Sequence, residues 1–372
     1  MMKLLLSTFL ILRLLLVSVV VVRAFGPLVT TRKSLVRRAA ATALPEVAPL
    51  PPHTLAGQVE RGLLHKFGGE EEAIQRVLQS WRFLQVNYEH HEYFGVHADP
   101  DQSLCHQQCH SYVPGLTVQE FWENSAFDWT EKLAAKYSAI RQEFRDVTAD
   151  MARLQQEGNN IWAGALTEDA SSYGLGWKTL VLMDRGRWDP VNVNLFPVTA
   201  QAVHDAGVPA VEVFFASLQP NSNIKPHSDF TNFVLTSHLG LDIPYSGENK
   251  CRLRIGDTTR QWINGEVMVF DTSLMHDAVN ESDQTRYILM MRIWHPDLTP
   301  VERDALQFIY DCLDFPDLLS TDASRRRTAE EQVELSRIFP EIQRGIGRHK
   351  GFGGGGKKKT KKNSKPRGFG AK

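Results

Sequence analysis

The chain has 372 residues, with 42% hydrophobic and 9% aromatic side chains, enough to fill the core of one large domain or two ordinary ones. Its formal net charge of −1 sums unlike parts: residues 1–45 carry seven Lys or Arg and no acid, residues 344–372 carry eleven and no acid, and residues 46–343 hold 24 basic against 43 acidic side chains. Such an acidic body does not fit a nucleic-acid-binding domain, and Cys105, Cys109, Cys251 and Cys312 are too few for a disulfide scaffold in a chain this long.

At the N-terminus, residues 4–22 form an apolar run behind Lys3, divided by Arg13. A charge in mid-span disfavours a permanent membrane helix. Val22 and Ala24 stand at −3 and −1 of a signal-peptidase site, so residues 1–24 read as a signal peptide. Residues 25–45 contain Ser, Thr, Ala and Arg without an acid, as a transit peptide does. With Phe25 at the new end, the pair of segments resembles the bipartite plastid leaders of algae with complex plastids. That resemblance implies a plastid protein; the alternative is a signal anchor in the endoplasmic reticulum membrane.

Residues 46–111 read as a helical N-terminal region. Ile74, Val77, Leu78, Trp81 and Leu84 recur at three and four within a helical stretch over 55–90, and a less regular stretch follows over 91–117. Within it, Cys105 and Cys109, and His106 and His110, would share faces on a helix, a spacing that could bind zinc or form a redox pair, but no second ligand pair stands at a known spacing and "DPDQSL" before them points to a loop. His90 and His91 read as surface residues. Residues 118–156 read as helical, with Trp129, Leu133, Tyr137 and Ile140 on one face. Strand-like segments follow at 177–183, 210–218, 233–243, 251–255, 266–270 and 286–294, separated by turn signals such as Asn264–Gly265. Such spacing suggests an antiparallel sandwich or barrel, a jelly roll among the options. Residues 301–343 read as helices, and 344–372 as a low-complexity basic tail able to contact polyanions but unable to bury a core.

The chemistry concentrates in "IKPHSDFTN" at 224–232. On extended backbone, residues i and i+2 point the same way, so His227 and Asp229 can approach one ion together. Two readings stand: a solvated loop pair, or two of three metal ligands. The third candidate is His276, just past the apolar strand 266–270. Two histidines and a carboxylate with open positions suit a non-haem Fe(II) oxygenase, although zinc accepts the same donors. Arg286, at the start of the last strand, can grip a carboxylate with two parallel hydrogen bonds. Asp271 either orients His276 or caps a turn, and His295 reads as an ordering residue rather than a ligand. Arg252, Arg254 and Arg260 read as exposed strand positions, the alternative being the lining of a substrate groove.

"LQPNSNIKPHSDFTNFVLTSHLGLDIP", "FDTSLMHDAVNES" and "TRYILMMRIWHPDLTP" resemble the aspartyl/asparaginyl β-hydroxylase family, Fe(II)- and 2-oxoglutarate-dependent dioxygenases; the likeness covers roughly 112–300. The resemblance implies an α+β fold with a double-stranded β-helix (jelly-roll, cupin-like) core at about 175–295 and flanking helices. It implies iron on His227, Asp229 and His276, and 2-oxoglutarate held by Arg286 with His238 nearby. The implied reaction couples decarboxylation of 2-oxoglutarate to succinate with hydroxylation of a C–H bond, on a protein side chain, an acyl chain or a small metabolite. The alternative is a non-catalytic or zinc-holding β-sandwich binding module. Asp229 departs from the animal peptidyl hydroxylases, which have glycine there; lipid-modifying bacterial members keep the aspartate. Thr236 and Ala216 stand where the animal enzymes place an arginine and a serine for the cosubstrate, and Ser217 is a candidate substitute for that serine.

Overall fold

The computed structural model describes residues 37–38, 44, 47–94, 105–159, 161–164, 172–245 and 247–341. The chain divides into two units, Met1–Pro340 and Glu341–Lys372, and every described element lies in the first. Residues 1–24, read above as a signal peptide, and the basic tail 344–372 fall outside the described residues. Of the transit-like segment, Arg37–Arg38 is described, as a short strand antiparallel to Thr117–Val118. Among the described residues no helix is long and apolar enough to cross a membrane.

Ten strands build the centre: β1 Phe121–Trp122, β2 Trp177–Asp184, β3 Ala210–Leu218, β4 Ser222–His227, β5 Val234–Asp242, β6 Cys251–Ile255, β7 Thr258–Gln261, β8 Val267–Phe270, β9 His276–Asn280 and β10 Arg286–Trp294. The larger sheet runs β1-β8-β5-β10-β3-β2, with Ala163–Gly164 beyond β2 and Arg187–Trp188 also on it; the smaller runs β4-β9-β6-β7. All these pairings are antiparallel. The sheets face each other across one apolar cluster. Ala216, Leu218, Phe270, Ile288 and Met290 come from the larger sheet, and Ile224, Leu253, Ile255 and Ala278 from the smaller. This is a double-stranded β-helix in an α+β chain.

β5 and β10 are buried along nearly their whole length because both faces of the larger sheet are covered. Its outer face packs on helices α3 (Tyr137–Thr148) and α4 (Pro197–Ala206), with Phe144 and Phe215 ring centroids 4.8 Å apart. Gly240 of β5 meets the turn before β8, where an added Cβ would lie 2.3 Å from the Ile263 carbonyl oxygen, so only glycine fits.

The flanking helices form a second core. Four more, α1 (Leu55–Lys66) and α2 (Gln75–Gln85) from the N-terminal side and α5 (Pro300–Asp314) and α6 (Ala323–Arg337) from the C-terminal side, pack together through Val59, Leu63, Leu78, Trp81, Phe308, Ile309 and Val333. Each such side chain contributes about 1.5–3 kcal/mol on burial. Arg76 of α2 donates 2.7 Å hydrogen bonds to both carboxylate oxygens of Glu302, which also closes the capping box of α5 with Thr299.

Three expectations change. The described part of 91–117 holds paired strands: His90–Tyr93 pairs antiparallel with His106–Ser111, which runs parallel to Phe230–Thr231. Its buried positions are Gln107 and Cys109, so the alternation carries no apolar signature; Gln107 instead donates 2.7 Å to the Ser273 hydroxyl. His90 is not a surface residue but is 4% exposed, stacked on Tyr112 at 3.7 Å between centroids. The helical segment over 118–156 is broken, beginning with β1 and continuing as three helices, Thr130–Ala134, α3 and Met151–Glu157.

Candidate active site

His227 closes β4 and His276 opens β9 directly beside it. A register irregularity between Ile224 and His227 makes them cross-strand partners, with ring centroids 4.2 Å apart. β4 is an edge strand, which is why Pro226, lacking an N–H, is tolerated next to the site. The Nδ1 of His227 lies 2.8 Å from the Lys225 carbonyl and that of His276 2.9 Å from the Leu274 carbonyl. A carbonyl only accepts, so each Nδ1 carries the proton and each Nε2 keeps its lone pair. The His227 Nε2 is buried without a hydrogen-bond partner among the described residues. Burial, and for His276 also the neighbouring His227, lowers both basicities, His276 to about 3.

Asp229 follows on the turn, its N–H donating 2.9 Å to the Thr272 carbonyl. Its side chain is 4% exposed. Burial alone would raise its pKa, but Arg292, then His276 and His227, pull it well below the usual carboxylate range. Donor atoms of His227, Asp229 and His276 lie within 4.8 Å of one another; among the described residues this is the group of three that offers donors for an ion. Two imidazole lone pairs and a carboxylate on one side suit a transition metal with positions left for other ligands.

Arg286, on the same strand as the cluster's Ile288 and Met290, is fully buried. None of its three guanidinium nitrogens has a hydrogen-bond partner among the described residues. It lies over the ring of Trp262 at 4.3 Å and of Trp177 at 5.5 Å. Burial depresses its pKa to about 9. A bare guanidinium in an aromatic box is built for an anion. His238 lies on the neighbouring strand β5, and its Nδ1 accepts 3.0 Å from the Trp262 indole N–H. Indole only donates, so the His238 proton is on Nε2, buried and without a partner among the described residues. The site thus offers a second donor beside the arginine.

Ser217 does not join them. In the ladder, Leu218 opposes Arg286 and Ala216 opposes Ile288, whereas Ser217 opposes Tyr287, whose ring packs outside the barrel on Phe144. Successive strand residues face opposite ways, so Ser217 points away from Arg286, and its hydroxyl donates 3.4 Å to the Lys178 carbonyl. Ala216 occupies the inward position and brings no hydroxyl.

Asp271 caps a turn, accepting from the Ser273 N–H and hydroxyl; burial raises its pKa to about 7. His295 is fully buried, bonded to the Thr117 carbonyl at 3.0 Å and to the Asp297 N–H at 3.1 Å. Arg252 and Arg254 are half-exposed and pair with Glu281 and Asp277, while Arg260 lies over Phe121. Cys105 and Cys109 are buried thiols in no disulfide, their pKa values raised by burial, the opposite of a reactive thiolate. His91, His106, Glu89 and His110 form an exposed hydrogen-bonded ladder instead.

A sequence model of the family described as "Aspartyl/Asparaginyl beta-hydroxylase" matches residues 134–296, which hold all three donors and Arg286. Over those residues the chain is similar to this family. Mouse aspartyl/asparaginyl beta-hydroxylase is 26% identical over 202 residues, 53% of this chain and 26% of that protein. The ornithine lipid ester-linked acyl 2-hydroxylase of Rhizobium tropici is 27% identical over 181 residues, 48% of this chain and 62% of that protein. The chain thus spans about a quarter of the length of the first β-hydroxylases it matches. Among solved structures, a Pseudomonas putida prolyl-4-hydroxylase aligns with 18% identity and a TM-score of 0.28, covering 41% of this chain and 87% of that one.

Sequence reasoning missed four residues around this site: Arg292, Tyr173, Trp177 and Trp262. Arg292 was signalled, because it shares strand parity with Arg286 in the otherwise apolar run "RYILMMRIW". The aromatic three had no signal beyond being aromatic.

Proposed function

We propose that the chain is an Fe(II)- and 2-oxoglutarate-dependent hydroxylase acting on a C–H bond of a protein side chain or of a small or lipid substrate. The observation that carries this reading is the pairing, in one barrel, of a His-Asp-His donor set with a fully buried guanidinium that has no hydrogen-bond partner among the described residues. A metal with three protein ligands needs further ligands, and the arginine needs a carboxylate; a dicarboxylate cosubstrate answers both. The family match and the curated hydroxylase relatives support the same class.

In this reading His227, Asp229 and His276 hold the iron, with both histidines kept as neutral Nε2 donors by their backbone hydrogen bonds. Arg286 and the His238 Nε2–H receive the far carboxylate of 2-oxoglutarate. Trp262 and Trp177 exclude water around that carboxylate, which strengthens its hydrogen bonds. Iron with 2-oxoglutarate supplies the oxidising chemistry, the protein its placement.

The test is conversion of 2-oxoglutarate to succinate by the purified full chain with Fe(II) and oxygen. The reading expects iron-dependent succinate, lost at least 100-fold in His276→Ala. Tight zinc retention with no succinate under any loading would favour the zinc-holding binding module instead.

A further inference from the structure

Asp229 is held by more than its place on the turn. Its Oδ2 accepts from the Arg292 Nη1 at 2.5 Å. Its Oδ1 accepts from the Tyr173 hydroxyl at 3.1 Å and faces the His227 Nε2 at 3.8 Å. The two oxygens are therefore divided, one turned to the arginine and one to the histidines. Arg292 is itself fixed. It sits on β10 between Glu212 of β3 and Thr236 of β5 as direct cross-strand partners, and its Nε lies 3.7 Å from the Glu212 carboxylate. The side chain is 15% exposed.

We propose that Arg292 is a positioning residue for the metal site: it ties back one oxygen of Asp229, so that the carboxylate meets the ion through Oδ1 alone. The inference rests on the metal-site reading of His227, Asp229 and His276. Two other roles fit the geometry less well. A substrate-binding arginine would need donors aimed at an open space, and this one is committed to Asp229 and Glu212. A purely stabilising pair is a weak reason for burial, since buried ion pairs often contribute little net stability. Orientation of a ligand is what a fixed, charge-assisted hydrogen bond does best. The ladder position also matters: Thr236, its neighbour on β5, contributes only a hydroxyl, bonded to Thr272 at 3.1 Å, and leaves room for the long arginine.

The experiment is a double-mutant cycle read as Mn(II) affinity, by chelator competition on the full chain without cosubstrate. Variants are Arg292→Gln, Arg292→Lys, Asp229→Ala, the Asp229→Ala/Arg292→Gln double, and His276→Ala. The proposal expects Arg292→Gln to weaken Mn(II) at least 10-fold, the range seen when an outer partner of a ligand is lost. Arg292→Lys, which keeps the charge, should recover most of that loss. In the Asp229→Ala background Arg292→Gln should change affinity less than twofold, because the carboxylate it acts through is gone. An equal loss in both backgrounds would mean a general structural effect and overturn the proposal. So would wild-type affinity in Arg292→Gln while His276→Ala has lost binding; the metal-site reading would then survive alone. Mn(II) binding unchanged in His276→Ala, or absent from the wild type, would overturn both. If Arg292→Gln does not fold, the Arg292→Lys arm decides: an affinity within about threefold of wild type supports the proposal, and a 10-fold loss contradicts it.

Discussion

Replacing Arg286 by methionine is predicted to stabilise the ligand-free protein. The guanidinium is fully buried and none of its nitrogens is bonded among the described residues. Burial takes its pKa from 12.5 to about 9, and at about 1.4 kcal/mol per pH unit this corresponds to roughly 5 kcal/mol against the charged form. Trp262 at 4.3 Å and Trp177 at 5.5 Å return about 1–2 kcal/mol each through their ring faces. The charge therefore costs the fold about 1–3 kcal/mol, which an unbranched apolar side chain of similar length does not incur. Urea unfolding should show Arg286→Met more stable than wild type by about that amount. With Mn(II) present throughout, adding 2-oxoglutarate at 100 times its wild-type Kd should stabilise the wild type further by about 2.7 kcal/mol and the variant not at all. A ligand-free Arg286→Met that is 2 kcal/mol less stable than wild type would refute the reasoning, because the arginine would then be satisfied within the fold.

Ser217→Ala should leave the KM for 2-oxoglutarate within twofold of wild type, since the hydroxyl lies on the outer side of β3; a tenfold rise in a steady-state assay would put it in the site. Gly240→Ala should cost more than about 2 kcal/mol in chemical denaturation, because its Cβ would lie 2.3 Å from the Ile263 oxygen. His90 titrates at about 4 in the folded chain, chiefly through burial, against 6.5 unfolded. Between those values the unfolded chain binds a proton that the folded chain refuses, so stability falls as pH drops through that window, by up to about 3 kcal/mol, and above it His90 contributes no slope. His90→Phe should keep the stack on Tyr112 and flatten that part of the curve between pH 7.5 and 4.5; an unchanged slope would mean His90 is not the group responsible.

The parts of the fold legible in the sequence were those whose burial is two-sided. β3, β5 and β10 are rich in apolar residues on both faces, because helices cover the outside and the smaller sheet the inside. The strands that carry the histidines were not legible. "SNIKPH" and "HDAVN" have little apolar alternation, and their strand character comes from pairing with each other. The hairpin from His90 to Ser111 is hidden for a related reason, since its buried positions include a glutamine bonded to the distant Ser273 and a histidine stacked on Tyr112. The C-terminal helices could be read from their own periodicity, but not that they share a core with α1 and α2, more than two hundred residues away in the chain. In the site, spacing and resemblance brought His227, Asp229, His276, Arg286 and His238 forward. Ser217 was misplaced by one residue, which on a strand is the difference between inside and outside. Arg292 was passed over although strand parity put it on the Arg286 face.

The central claim is that the histidine pair and Arg286 serve one site. Calorimetric titration of 2-oxoglutarate into the full chain, with and without saturating Mn(II), tests it most directly. The account predicts binding that is at least tenfold tighter with Mn(II), a dependence lost in His276→Ala and binding itself lost in Arg286→Met. Equal affinity with and without the metal, or undiminished binding in Arg286→Met, would contradict it.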